Sequence, residues 1–252
     1  MFVLRDNLKW KGKPFKEDKP FDSYLPATQR GKELFDCYQL NRFSQKLSKE
    51  YLNETLGTLD LLDRVSLENL PVVQSGLDVG SKNWSYLPAI DVWLEKKINQ
   101  NKDPIPFYGV EIDSYRIYQN LTTRYAVAQY FCKQLSNQKI NYHFLPQDIR
   151  MFFKRVSLIT WFLPFVHLDT HLSWGLPKNL FYPKEVFNHV VNCLEIGGNL
   201  ILANQTESEW EVSEAILSEK LKLINVQEVT NSLHPSAYPI FLSLWTRESI
   251  SP

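Results

Sequence analysis

From Val72 onward, short runs of apolar residues alternate with longer stretches in which apolar residues recur every three or four positions. Such short runs are typical of buried strands, and the stretches between them have the helical spacing that the crossovers of a parallel sheet require. The pattern predicts seven strands: VVQSGLDV, IPFYGVEI, INYHFL, VSLITWFL, NLILANQ, KLINVQEV and PIFLSLWTR. The last two are joined by a segment too short for a crossover helix, so we expect them to pair antiparallel. The sequence therefore predicts an α/β fold with a mostly parallel sheet.

Capping residues predict where the helices between these strands begin and end. Ser85 and Ser114 are expected to cap the helices after the first and second strands, because a serine hydroxyl accepts hydrogen bonds from the first turn. The helix before the fifth strand is expected to stop at Gly197 and Gly198.

The residues before the sheet have a different pattern. Residues 29–65 carry apolar positions at helical spacing with charged residues between them, which predicts an amphipathic helical segment, interrupted near Gly57. The Pro- and Lys-containing residues before this segment predict an irregular arm. We therefore divide the chain into an N-terminal arm and helical extension, residues 1–70, and a sheet domain, residues 71–252. The extension is expected to cover the functional site or to mediate homodimerisation.

Composition narrows the class of protein. With 252 residues, 44% of them apolar, the chain can fill a hydrophobic core, and 28 basic residues balance 28 acidic ones. This balance favours neither nucleic acid nor a membrane surface as a partner. The three cysteines are far apart and odd in number, which fits a reducing compartment rather than a disulfide framework. No signal peptide or membrane span is recognisable, so we expect a cytoplasmic protein.

Three acidic residues follow the first three predicted strands. Asp78 ends the first strand, Glu111 ends the second, and Asp148 follows the third. Alone, each could shape a turn, end a strand in solvent or cap a short helix. Ligands of open parallel sheets bind outside the carboxyl ends of the strands. Together the acids therefore indicate a ligand with amines and hydroxyls to donate.

The glycine pattern argues against a pyrophosphate-linked nucleotide. A dinucleotide site would require G-x-G-x-x-G after the first strand, and only Gly80 of that pattern is present; Lys82 and Ser85 occupy the other two positions. A phosphate-binding P-loop is also missing from the sequence. A nicotinamide-dependent oxidoreductase is accordingly the weakest of the functions considered.

The segments LDVGS, FYGVEID, LPQDIR, LITWFLPF and LEIGGNLIL together resemble the class I S-adenosylmethionine-dependent methyltransferase superfamily, across residues 72–247. The resemblance implies a Rossmann-like three-layer sandwich whose last strand is antiparallel. It also implies S-adenosylmethionine as cofactor and S-adenosylhomocysteine as product. The cofactor-binding residues that it implies are Asp78, Gly80, Ser81, Glu111, Ile112, Asp148, Ile149 and Thr160.

In that family the first loop passes under the methionine part of the cofactor, the acid corresponding to Glu111 binds the ribose diol, and the acid corresponding to Asp148 binds the adenine amino group. Ile112 and Ile149 would flank the adenine ring. The family's first loop usually continues G-x-G-x-G, whereas Lys82 and Trp84 stand at the second and third glycine positions here. Either these side chains point away from the cofactor, or they fill its pocket and the protein is a catalytically inactive binding or scaffold protein.

The loop after the fourth strand, TWFLPFVHLDTHLSWG, is where the family usually places contacts to the methyl acceptor. It lacks the Asn/Asp-Pro-Pro-aromatic motif of base and amide methyltransferases, which favours a small organic acceptor. His167 and His171 are candidate bases; no third ligand accompanies them, so we assign no metal. The remaining candidate acceptor contacts are aromatic (Trp161, Phe162, Phe165, Trp174, Phe181, Tyr182) or polar (Asn204, Gln205, Thr206, Glu207). We interpret His143, His189 and His234 as structural or exposed.

Overall fold

The sheet has seven strands, with helices on both of its faces. The structure, a computed structural model, describes residues 2–16, 25–44, 46–65, 72–96, 103–236 and 238–249. The strands are β1 (Gly76–Val79), β2 (Ile105–Val110), β3 (Ile140–Leu145), β4 (Val156–Phe162), β5 (Leu194–Asn204), β6 (Lys222–Val229) and β7 (Ile240–Thr246), in the order β3-β2-β1-β4-β5-β7-β6. β1 to β5 pair in parallel, and β7 pairs antiparallel with both β5 and β6. The predicted Rossmann-like α/β fold is confirmed.

The helices in the described residues are α1 (Phe2–Leu8), α2 (Gln29–Cys37), α3 (Asn41–Ser44), α4 (Lys49–Asp63), α5 (Leu87–Glu95), α6 (Arg124–Leu135), α7 (Leu168–Ser173), α8 (Pro183–Cys193) and α9 (Glu207–Leu217). Short 3-10 helices lie at Ile149–Met151 and Lys178–Leu180. None of the helices described here combines the length and the apolarity that a membrane crossing needs.

Two predicted helix caps are wrong. α5 begins at Leu87, and the Ser85 hydroxyl instead contacts the Glu54 carboxylate and Asn83 Oδ1, to either of which it can donate its one proton. The Ser114 hydroxyl donates to the Glu111 carbonyl, while α6 starts nine residues later than expected, after Thr123. Neither hydroxyl accepts a hydrogen bond from the first turn of the following helix: α5 has no side-chain cap, and Thr123 caps α6.

The predicted stop at Gly197 and Gly198 is also wrong. α8 ends at Cys193, and both glycines lie inside β5. Arg247 explains the early end, because its Nη1 donates to the carbonyl oxygens of Val191 (3.1 Å) and Leu194 (2.6 Å). Carbonyl groups that the last turn of a helix leaves unpaired are thereby satisfied by a side chain from the end of β7.

α4 runs without interruption through Gly57, contrary to the predicted break. A Cβ at residue 57 would lie 2.8 Å from the Cα of His234, so glycine here permits the loop between β6 and β7 to approach the helix. The opposite face of α4 packs on the sheet domain: Leu52, Leu59 and Leu62 are fully buried in the same hydrophobic cluster as residues of α5 and β2.

The N-terminal arm lies along the loop between β2 and α6. Arg5 of α1 forms an ion pair with Asp113 (2.8 Å), and the Thr123 hydroxyl donates to the Lys11 carbonyl (2.6 Å). The backbone N–H of Lys13 bonds to Leu121 (3.0 Å). These contacts bring the arm to the edge of the sheet at which the predicted site lies.

Candidate cofactor and acceptor site

A cavity of about 570 Å³ opens at the carboxyl ends of the parallel strands. This volume lies within the range of small-molecule sites in proteins. Its floor includes Val79 and Gly80 at the end of β1, Val110 at the end of β2, and Trp161 of β4. β1 lies between β2 and β4, so the cavity sits where the strand order reverses, the usual ligand position in an open parallel sheet.

Asp78 lies beneath this floor and does not line the cavity. Its Oδ1 accepts from the Thr160 hydroxyl (2.6 Å) and its Oδ2 accepts from the Tyr86 hydroxyl (2.7 Å), and the carboxyl is fully buried. Burial raises the pKa of Asp78 to about 7, although both hydrogen bonds oppose the shift. Asp78 and Thr160 therefore join β1 to β4 and α5. Ser81 is fully buried too, so Gly80 is the predicted first-loop residue that reaches the cavity.

Neither of the two residues that replace family glycines fills the cavity. Lys82 and Trp84 both have φ of 53°, the left-handed conformation that glycine adopts more easily. The Trp84 ring is fully buried against Gly109, where a Cβ would lie 2.8 Å from the indole. Lys82 lines the cavity wall, and its Nζ lies 3.5 Å from a carboxylate oxygen of Glu54.

Glu111 lines the cavity at the end of β2. Its Oε2 accepts from the Lys82 backbone N–H (2.9 Å) and its Oε1 from the Asp113 backbone N–H (2.7 Å), with Arg124 Nη1 at 3.5 Å. Burial raises the pKa of the Glu111 carboxyl, although Arg124 and the two N–H groups oppose the shift. Since each carboxylate oxygen can accept more than one hydrogen bond, Glu111 still has acceptor capacity for a ligand.

Asp148 lines the neighbouring part of the wall, together with Ile112 and Ile149. Its Oδ1 accepts from the Arg150 backbone N–H (2.9 Å), which caps the 3-10 helix, and the Arg150 guanidinium binds its Oδ2 (2.7 Å). Partial burial acts to raise the pKa of Asp148, but the hydrogen bonds from Arg150 outweigh it and hold the pKa below its usual value. Asp148 is therefore an anionic acceptor at neutral pH.

Aromatic side chains line much of the cavity, including the parts beside the two acids: Arg124 lies over the Trp174 ring (5.7 Å) and Arg150 over the Tyr182 ring (5.4 Å). All six aromatic residues predicted for the acceptor pocket line it: Trp161, Phe162, Phe165, Trp174, Phe181 and Tyr182. Of the four polar residues predicted after β5, Gln205 lines the cavity. Asn204 is buried against Ser213, and Thr206 caps α9.

The two candidate bases after β4 have protein partners. His171 lines the cavity, and its Nε2 lies 2.9 Å from the Pro177 carbonyl oxygen. His167 lies outside the cavity lining, and its Nε2 is 3.1 Å from the Ser208 hydroxyl.

The roof of the cavity comes from α4 of the N-terminal extension, in line with one of the two roles expected for the extension, and from a loop whose contact with α4 was not predicted. α4 contributes Glu54 and Thr58, and the loop between β6 and β7 contributes His234 and Pro235. His234, interpreted from the sequence as structural or exposed, is half-buried and lines the cavity. The one local signal for this contact was Gly57, since a glycine inside an amphipathic helix often marks a close approach of another backbone.

Comparisons with known proteins support the fold. No protein-family model and no curated protein sequence matches the chain. Among solved structures, the N-methyltransferase NodS from Bradyrhizobium japonicum WM9, in complex with S-adenosyl-L-homocysteine, is similar with a TM-score of 0.51 and 16% identity, covering 88% of this chain and 100% of that one. Magnesium protoporphyrin IX methyltransferase (ChlM) from Synechocystis PCC 6803, with bound SAM, has a TM-score of 0.50 and 12% identity, covering 89% and 100%.

TrmN from Thermus thermophilus is similar at a TM-score of 0.50 and 16% identity, covering 75% of this chain and 48% of that one. With the strand order, these likenesses show that the chain has the fold of class I S-adenosylmethionine-dependent methyltransferases.

Proposed function

We propose that this protein is an S-adenosylmethionine-dependent methyltransferase that acts on a small organic acceptor. The observation that carries the proposal is the arrangement of Glu111 and Asp148 in one cavity. These two acids follow neighbouring strands, and the apolar side chains of Ile112 and Ile149 accompany them in the wall. This set matches the donors and the flat ring of an adenosine, and offers acceptors rather than the phosphate-binding groups that a dinucleotide needs.

In the proposed complex, Glu111 accepts hydrogen bonds from the ribose hydroxyls, Asp148 accepts one from the adenine amino group, and Ile112 and Ile149 flank the ring. Gly80 forms the floor, where a Cβ would have Trp161 Nε1 as a neighbour at 4.0 Å. When bound, the cofactor supplies an electrophilic methyl group on a sulfonium. Aromatic side chains of the cavity then hold the acceptor in line with that methyl group and exclude water. Alignment of donor and acceptor is the main contribution that a protein makes to such a displacement.

The alternative of an inactive binding or scaffold protein lacks support. This alternative required Lys82 and Trp84 to fill the cofactor pocket, and the cavity at the first loop is open. Trp84 lies in the core, among Phe107, Tyr142 and Phe144.

Calorimetric titration with S-adenosylmethionine and S-adenosylhomocysteine tests the proposal. We expect saturable binding of both ligands, and a dissociation constant about tenfold to a hundredfold higher for Glu111→Ala, because hydrogen bonds to a charged group are lost. Glu219→Ala is a matched control, since Glu219 is exposed and pairs with Lys184 outside the cavity. Failure of the wild-type protein to bind either ligand would overturn the proposal, as would equal affinities of the wild type and Glu111→Ala.

A further inference from the structure

His234 lines the cavity but belongs to none of the segments proposed to hold the cofactor. The residues proposed to hold the cofactor follow β1, β2 and β3, whereas His234 lies in the loop after β6, at the far end of the strand order. β6 runs parallel to β5, because both are antiparallel to β7, so this loop leaves the sheet at the same edge as the loops after β4 and β5. The loop leaves the sheet beyond β5 and packs on α4, which brings His234 close to Glu54 and Lys82.

The loop that carries His234 is fixed from two directions. The backbone N–H of Leu233 donates to Asp60 Oδ2 of α4 (2.9 Å), and Asp60 is itself fully buried. On the other side, Gln205 Nε2 donates to the Ser236 hydroxyl (3.2 Å). Gly57 permits the close contact between α4 and the His234 backbone. These contacts hold the imidazole in a defined position at the cavity roof.

The His234 imidazole is available to a ligand. Its Nδ1 is enclosed by the described part of the chain and has no hydrogen-bond partner there, so Nε2 is the ring nitrogen that a molecule in the cavity can reach. Burial lowers the pKa of His234; among its charged neighbours, Glu54 acts to raise the pKa and Lys82 to lower it further. The ring is therefore neutral at pH 7 and can accept a proton.

The surroundings of His234 define the chemistry of the acceptor. Glu54 is bound by Lys82 and the Ser85 hydroxyl, and Glu209 accepts from the Gln205 backbone N–H (2.7 Å). The Lys82 ammonium lines the cavity next to Glu54, and its positive charge disfavours a cationic amine. The aromatic side chains that line the cavity favour a flat apolar body. A neutral aromatic compound with one hydrogen-bond donor fits both features.

We propose that His234 binds the hydroxyl group of a neutral aromatic methyl acceptor and takes up the proton that this hydroxyl loses on methylation. This inference rests on the proposed function. The acceptor oxygen forms a bond to the methyl carbon, and the bond between that carbon and the sulfonium sulfur breaks. Its electron pair stays on sulfur to give the neutral thioether, S-adenosylhomocysteine, and the O–H proton passes to His234 Nε2.

The test uses 2-naphthol and naphthalene, which differ in the hydroxyl group alone. With the full-length protein saturated with S-adenosylhomocysteine, we expect 2-naphthol to bind about tenfold more tightly than naphthalene, as a buried hydrogen bond predicts. In His234→Phe we expect this preference to vanish while the naphthalene affinity stays the same. His143→Phe is the matched control, because His143 of β3 stacks on Tyr108 of β2 and lies outside the cavity lining.

Binding and proton uptake are separated by His234→Gln, whose amide oxygen accepts a hydrogen bond but takes up no proton at neutral pH. We expect this variant to keep the preference for 2-naphthol. With S-adenosylmethionine, we expect its formation of 2-methoxynaphthalene to be about a hundredfold slower than in the wild type, the usual contribution of a general base. Wild-type kcat/KM should rise with pH through a pKa below the usual histidine value, and this step should be missing in His234→Gln.

The inference is overturned if the wild type binds the two probes equally or not at all. It is also overturned if His234→Phe keeps the preference, or if the wild type forms no 2-methoxynaphthalene. Binding of S-adenosylhomocysteine distinguishes failure of this inference from failure of the proposed function. If S-adenosylhomocysteine still binds and any of these results is found, the role of His234 is refuted and the proposed cofactor site is not.

Discussion

The indole of Trp84 lies directly on Gly109 of β2, where three of its atoms would be 2.8 Å from a Cβ. Trp84 belongs to the loop after β1, and Gly109 is the register partner of Asp78 in the adjacent strand. The Trp84 side chain therefore occupies space in the core that Gly109 of the adjacent strand leaves free. This pairing leaves the cavity open although the first loop carries a tryptophan.

We expect Gly109→Ala to destabilise the protein by about 1–3 kcal/mol, because the added methyl group overlaps the fully buried Trp84 ring. The measurement is the free energy of unfolding in urea. In a Trp84→Leu background the same substitution should cost less, since the smaller side chain leaves room for the methyl group. An equal cost in both backgrounds would show that the contact with Trp84 is not the cause.

Asp78 should make stability fall as the pH rises. The pKa of Asp78 is about 7 in the folded protein, whereas the ordinary value of 3.8 applies once the chain unfolds. Between these values the folded state binds more protons, so the free energy of unfolding decreases with increasing pH. Asp78→Asn removes this titration, and its stability relative to the wild type should increase by about 3 kcal/mol between pH 5 and pH 8.

Urea unfolding of both proteins at the two pH values provides this comparison. Asp91, whose pKa burial raises to about 6, titrates in both proteins and cancels in the difference. A difference that stays constant with pH would mean that Asp78 is ionised throughout this range.

Asp148 should discriminate between adenine and hypoxanthine. The anionic carboxylate accepts from an amino group but repels a carbonyl oxygen, so we expect S-adenosylhomocysteine to bind at least tenfold more tightly than S-inosylhomocysteine. In Asp148→Asn the preference should become small, because an amide can donate as well as accept. Asparagine is also a good N-cap, so the 3-10 helix at Ile149 should persist. Calorimetry with the two ligands gives the ratio, and an unchanged ratio in the variant would contradict this role.

Gly57→Ala should affect binding of the methyl acceptor and leave binding of the cofactor unchanged. Alanine is about 1 kcal/mol more favourable than glycine within a helix, but here its methyl group would lie 2.8 Å from the His234 backbone and must displace the loop. We expect the preference for 2-naphthol over naphthalene to disappear while the affinity for S-adenosylhomocysteine changes less than twofold. Titrations with 2-naphthol, naphthalene and S-adenosylhomocysteine measure both quantities. A retained preference for 2-naphthol would indicate that the loop position does not depend on Gly57.

The hydrophobic pattern was sufficient to predict the sheet, since each observed strand overlaps a predicted apolar run. The acids Glu111 and Asp148 were also recognisable, because strand ends of a parallel sheet meet at one edge. The cap predictions at Ser85 and Ser114 failed because the helices begin further along the chain: α5 starts at Leu87, and α6 starts at Arg124 after the Thr123 cap. The role of His234 depends on α4, which is distant in sequence, and a lone histidine in a polar loop carries no local signal of such a contact.

The roof made by α4 also bears on protein engineering. Acceptor selectivity in enzymes of this fold is an obvious target for loop exchange, in which the segments after β4, β5 and β6 are replaced by those of another protein. Here such a chimera would inherit Glu54 and Thr58 from the original helix, together with the glycine that sets the position of the last loop. Selectivity should therefore transfer only when α4 is exchanged along with the loops that it contacts.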